Sequence, residues 1–89
     1  MVLNEDLIKD LIKSDNWKYK KKSIIRNFKF NSYMDGIKFV NEIAELAENK
    51  NHHPDIQIGW CNVELSITSH DLGGVTNQCV EFANEIELI

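Results

Sequence analysis

Between Glu48 and Thr76 the chain reads ENKNHHPDIQIGWCNVELSITSHDLGGVT, and this stretch leaves few folds open. It holds all three histidines, the only proline and the one Gly-Gly pair. Pro54 disfavours the helical region for the residue before it, so His53 is expected to be extended. Neighbours in an extended segment point to opposite sides, so His52 and His53 should be splayed. Val63, Leu65 and Ile67 then alternate with Glu64, Ser66 and Thr68, the pattern of a half-buried strand. His70 continues the polar parity of that strand just before Gly73-Gly74 ends regular structure. A helix end, a strand, a turn and a second strand therefore gather the histidines around one hairpin.

The remainder falls into place around that hairpin. Asn4 to Lys13 reads as a helix capped by Asn4, with Leu3, Leu7, Ile8, Leu11 and Ile12 at helical spacing. Trp17 to Lys20 and Ser23 to Phe30 read as strands, with Lys21-Lys22 near the turn. Ile24, Phe28 and Phe30 share one parity, and Ile25 lies on the other face. Asn31 to Glu48 is the main helix, capped by Asn31 or Ser32, with Asp35 placed as in a capping box. Its stripe is Tyr33, Ile37, Val40, Ala44 and Ala47, broadened by Met34, Ile43 and Leu46. Ile56, Ile58 and Trp60 alternate as a strand, Cys61-Asn62 turns, and Val63 to Ser69 returns. Thr76 caps a last helix, in which Cys79, Phe82, Ala83 and Ile86 share a face. The order helix-strand-strand-helix-strand-strand-helix predicts an α+β fold. Two layers are expected, a four-stranded antiparallel sheet with helices packed on one face. With 89 residues and no linker or repeat, residues 1–89 are expected to form a single domain.

Charge and composition narrow the function. The formal net charge is −4, which argues against direct nucleic-acid binding; that usually needs a basic patch. The cluster of Lys18, Lys20, Lys21 and Lys22 reads more simply as a solvated loop than as a phosphate patch. Cys61 and Cys79 do not resemble a disulfide framework, so reduced thiols and a cytoplasmic location are expected, with the nucleus open as a second location. No apolar run is long enough to span a membrane, and the N-terminus has no signal-peptide pattern.

Glu48 ends the main helix, where a carboxylate opposes the helix dipole. Such a residue is either solvated, compensated or functional. His52, His53 and His70 with Glu48 or Cys61 would supply enough donors for a metal. Splayed neighbours converge poorly on one ion, and the spacing matches no usual zinc pattern, so no metal is expected. An acid/base or ligand-binding cluster suits imidazoles better, because they exchange protons near neutral pH. Gly73-Gly74 lacks the lysine of a phosphate loop and reads as a tight turn. Trp60 has the parity of Ile56 and Ile58, which suits core or interface.

Glu48, three intervening residues, His52-His53-Pro54, then Trp60, then His70 followed by Gly-Gly-Val-Thr resembles the signature of the pterin-4a-carbinolamine dehydratases. The resemblance runs from about Trp17 to Ile89. It implies the same α+β fold and a dehydratase that converts 4a-hydroxytetrahydropterin to the quinonoid dihydropterin. That reaction recycles the tetrahydrobiopterin-type cofactor of aromatic amino acid hydroxylases and needs no metal or organic cofactor. His52 and His70 would be the acid/base pair, with Glu48 orienting His52 or bonding the pterin edge. His53, Pro54 and Trp60 would hold the pterin. The resemblance also implies a homodimer or homotetramer. The alternative is a non-catalytic dimerisation cofactor or coregulator of a transcription factor, with that protein as partner. One departure stands out: the family usually has an aspartate where Cys79 stands, and the apolar helix face makes this read as a packing adjustment.

Overall fold

Val63, Leu65 and Ile67 have no exposed surface, and the strand that carries them is the centre of the sheet. In the computed structural model, which describes residues 1–89, the elements are α1 (Glu5–Leu11), β1 (Lys18–Lys20), β2 (Ser23–Lys29), α2 (Tyr33–Lys50), β3 (Asp55–Ile58), β4 (Asn62–Ile67) and α3 (Asn77–Ile86). The sheet is antiparallel throughout, in the order β1-β2-β4-β3. Ile24 lies opposite Ile67, Phe28 opposite Val63, and Ile56 opposite Leu65. Directly opposed residues share a face, so these side chains line one side of the sheet. The expected α+β layout is the one observed.

The helices cover that face. From α2 come Phe39, Ile43 and Ala47; from α3 come Cys79, Val80, Phe82, Ala83 and Ile86. Full burial of a side chain such as Ile43 or Phe82 stabilises the fold by about 1.5–3 kcal/mol. Phe39 packs between Phe28 and Phe30, with ring centroids 4.6 and 5.2 Å away. The other sheet face, with Ile25, Asn27, Lys29 and Glu64, is left open.

Several local expectations are displaced. The stripe of α2 is rotated: Gly36, Phe39, Ile43 and Ala47 face inward, while Tyr33, Met34 and Ala44 are exposed. The sheet selects this phase, because the Phe28–Phe39–Phe30 stack needs Phe39 inward. Gly36 fits against Val63 and Phe30, where a Cβ would come within 3.4 Å of Val63 Cγ2. Strand β3 stops at Ile58, and Trp60 sits in the following turn with 81% of its surface exposed, so it is not core. Strand β4 stops at Ile67, and His70 lies beyond it in a turn rather than on the strand. Leu7 and Leu11 are also exposed, leaving Leu3 and Ile8 as the buried contribution from the N-terminal segment.

Candidate active site

Helix α2 ends in a sequence of bonds that aims its last residues. Asn51 is left-handed, with φ 50° and ψ 44°. Its N–H donates to Glu48 O at 3.2 Å, and the N–H of His52 donates to Ala47 O at 3.0 Å. This pairing is a Schellman closure, which reverses the chain sharply. Asparagine tolerates the left-handed conformation better than most side chains do. The chain runs without regular structure through Pro54 to β3, and the two histidine side chains go to different partners.

His52 turns inward. Its ring meets Phe82 edge-on, with centroids 5.7 Å apart and an interplanar angle of 84°. Its Nε2 lies 3.5 Å from Cys79 Sγ. His53 turns outward, and its Nε2 pairs with the Glu48 carboxylate. The carboxylate at the helix end is thus compensated by an imidazole, and that imidazole is His53; of the two roles the resemblance implied for Glu48, orienting His52 has no contact behind it. Pro54 is half-buried and opens β3.

The opposite wall comes from the loop after β4. Thr68 Oγ1 donates to Lys22 O at 2.7 Å, tying the loop to the β1–β2 turn. Ser69 N–H donates to Gly74 O at 2.8 Å, and Ser69 O accepts from the N–H of Gly73 at 2.8 Å. Ser69 Oγ accepts the N–H of Leu72 at 3.2 Å. Gly73 has φ 76°, a conformation glycine adopts without steric cost. The loop is therefore fixed at both ends and presents His70 at its head.

Asn51, His52 and His53 on one wall and Thr68 to Asp71 on the other enclose a polar cleft of about 210 Å³. All three histidines reach it from two segments. A wider groove of about 700 Å³ runs over the open sheet face between Lys18, Lys29 and Glu64, but no histidine lines it. Trp60 is not brought to the cleft within this chain; the four residues of β3 separate it from His53 by roughly 13 Å of strand. Cys61 sits in the same distant turn. No group of three histidine, cysteine or acidic side chains is arranged to hold a metal ion.

Burial lowers the pKa of His52, and the neighbouring charges of His53, His70 and Lys50 push in the same direction. A histidine held below its ordinary range is neutral at pH 7 and accepts a proton rather than donating one. Neutral His52 facing a cleft shared with two more imidazoles is an arrangement suited to moving protons.

The sequence missed the contact between His52 and Cys79, reading Cys79 as packing alone. The two are far apart in the chain, so only the cap spacing of Thr76 and Cys79 hinted that the side chain at 79 points toward the cap. Asn51, Ser69 and Asp71 were also missed as cleft residues; the left-handed preference of Asn51 was the one available signal.

Known proteins resemble this chain in sequence and in fold. A family model described as pterin 4 alpha carbinolamine dehydratase matches residues 1–89. A protein of Halobacterium salinarum named "Putative pterin-4-alpha-carbinolamine dehydratase" is 38% identical over 85 residues, covering 96% of this chain and 92% of that protein. One of the same name from Mycobacterium avium is 42% identical over 72 residues, covering 81% of this chain and 77% of that protein. The fold also matches the crystal structure of a transcriptional coactivator/pterin dehydratase from Brucella melitensis, with a TM-score of 0.91 at 24% identity over 99% of this chain and 97% of that one. A pterin dehydratase-like protein identified as a RuBisCO assembly factor in the alpha-carboxysome aligns with a TM-score of 0.67 at 23% identity, covering 81% and 83%. Matched from end to end by the family model, and with relatives at about these identities across most of both chains, the chain belongs to the pterin-4-alpha-carbinolamine dehydratase family.

Proposed function

We propose that this protein is a 4a-hydroxytetrahydropterin dehydratase that works by histidine acid/base catalysis without a metal or organic cofactor. The observation that carries the reading is the convergence of His52, His53 and His70 on one cleft; burial, which lowers the pKa of His52, supports it. Dehydration breaks the C4a–O bond and the N5–H bond, forms the C4a=N5 bond and releases water. His52 takes the N5 proton. His70, reaching the ring from the other wall, delivers a proton to the leaving hydroxyl. Exchange with solvent then resets both. Each such group contributes about 10²–10⁴-fold. His53, steadied by Glu48, holds the pterin edge beside Pro54; Glu48 acts through His53. Trp60 joins substrate binding only if a second copy brings it to the cleft.

The product, a quinonoid dihydropterin, suits recycling of a tetrahydrobiopterin-type cofactor in the cytoplasm. The working assembly is a homodimer or homotetramer. A second reading is a non-catalytic coregulator that binds a protein partner. It is favoured by the exposed Trp60, Ile58, Tyr33 and Met34. The Trp60 turn is tied to the end of β2 by the N–H of Phe30 donating to Cys61 O at 2.9 Å. The relatives described as a coactivator and an assembly factor lend that reading analogy only.

One stopped-flow experiment with freshly generated 4a-hydroxytetrahydropterin separates the readings. His52→Ala and His70→Ala should each lower kcat, and the double variant should be slower than either. His53→Ala and Glu48→Gln should instead raise KM with little change in kcat, the signature of a lost uniform binding contact. Unchanged kcat in both His52→Ala and His70→Ala would move the coregulator to first place.

A further inference from the structure

His52 is the only one of the three histidines whose ring is held from behind, by α3. Cys79 Sγ is the only hydrogen-bond partner of that ring. Cys79 is fully buried and stands three residues after Thr76, the residue that caps the helix. Its N–H donates to Thr76 Oγ1 at 3.4 Å, and its sulfur lies 3.4 Å from the same oxygen. The start of α3 therefore sets where the sulfur sits, and the sulfur sets where the ring sits. The two ring nitrogens point in divergent directions. With Nε2 committed to sulfur, Nδ1 is the nitrogen left to exchange a proton in the cleft.

We propose that Cys79 is a positioning residue for His52. Its sulfur accepts the Nε2–H of the neutral ring, its own S–H points to Thr76 Oγ1, and Nδ1 is left with a free lone pair toward the cleft. This deepens the reading of His52 as the proton acceptor and rests on it. Apolar packing alone does not account for the contact, because a half-buried Nε2–H without an acceptor is costly. A partner that fixes which ring nitrogen carries the hydrogen also fixes which one is the base.

The choice of sulfur has a chemical consequence. The groups whose charges act on His52 are Lys50 and His53 on its own segment and His70 on the opposite loop, all cationic when charged. Asp71 lines the same cleft from that loop and Glu48 is taken up by His53, while a thiol adds no negative charge from α3. A carboxylate in the place of Cys79 would stabilise the protonated imidazole and take the base out of use at higher pH. With a thiol there, His52 remains a working base in more acid solution.

The test is ¹⁵N NMR of the histidine rings in the substrate-free protein, titrated with pH, together with kinetics of three variants. The wild-type spectrum should show His52 as the Nε2–H tautomer. Cys79→Asp should raise the His52 pKa and move the acid limb of the kcat/KM profile up by about 1 pH unit. Cys79→Ala should lower kcat about tenfold with little change in KM, since a misplacement of about 1 Å costs up to ~100-fold. Cys79→Ser, which retains an acceptor, should recover much of the loss. An Nδ1–H tautomer in the wild type would overturn the proposal even if no variant folds. So would Ala and Ser variants that lose only thermal stability while the His52 shifts and pH profile stay put. If His52→Ala keeps full kcat, the proton-acceptor reading fails, while the spectrum still decides the contact to Cys79.

Discussion

His52 links the chemistry of the site to the stability of the fold. Its pKa is lowered, first by burial and then by His53, His70 and Lys50. In the unfolded chain a histidine titrates near ~6.5. Above that pH His52 is neutral in both states and contributes no pH dependence. As the pH falls through ~6.5, the unfolded chain takes up the proton first, and folding becomes less favourable until the lowered pKa is passed. Denaturant midpoints should therefore drop between about pH 7 and pH 5 by more in the wild type than in His52→Gln. Parallel curves for the two proteins would show that the pKa of His52 is the same in the folded and unfolded chains. The same residue shows what local sequence reveals. The divergence of His52 and His53 was legible, because Pro54 and the extended backbone dictate it. The partner of Glu48 was not, because the side-chain torsions that select His53 over His52 leave no periodic trace.

At the scale of elements, the β1–β2 hairpin carries the clearest strain. Tyr19 pairs with Ile24 and Lys20 with Ser23, which leaves Lys21 and Lys22 as a two-residue loop. Both have positive φ, 49° and 64°. Turns with two left-handed residues match the twist of the strands and normally use Asn-Gly or a similar pair. A left-handed non-glycine residue costs roughly 1–2 kcal/mol. Lys22→Gly should thus stabilise the protein by about 1 kcal/mol, read as a higher denaturant midpoint with an unchanged m-value. No gain would mean that the greater backbone freedom of glycine in the unfolded chain offsets the relief of strain. The hairpin itself was legible without the usual turn signature, because Ile24, Phe28 and Phe30 kept strand parity around it. Seven elements in order, and the caps Asn4, Ser32 and Thr76, were legible for the same local reasons. The phase of α2 was not. Apolar residues occur around much of that helix, so 3.6-residue periodicity allows more than one inward face. Only the long-range stack of Phe39 on Phe28 and Phe30 chooses among them. The end of β4 was missed likewise: the Ser69–Gly74 bridge folds the chain back where parity alone would extend the strand.

The whole molecule has one finished face and one open one. Helices cover one side of the sheet; the other side and the edges β1 and β3 meet solvent. The two edges differ. Strand β1 is three residues long with exposed Lys18 and Lys20, and short, lysine-bearing edges resist pairing. Strand β3 has no lysine, and its end carries Ile58, 46% exposed, and the adjoining Trp60, 81% exposed. An unpaired edge ending in a large aromatic is suited to meet a second copy of itself, antiparallel, as a closed two-fold contact would require. A chain of 89 residues buries a modest core, so such pairing would add stability the monomer lacks. Multi-angle light scattering at micromolar concentration should return two or four times 10.3 kDa. Ile58→Lys together with Trp60→Lys should shift the mass toward the monomer and lower the melting temperature, while Lys18→Glu on β1 should leave the mass unchanged. If loss of the dimer also raises KM in the stopped-flow assay, Trp60 contributes to a neighbouring cleft; an unchanged KM would confine substrate binding to the histidine segment of each chain. A mass of one chain across the whole range would instead leave β3 an edge held apart by charge and solvent alone.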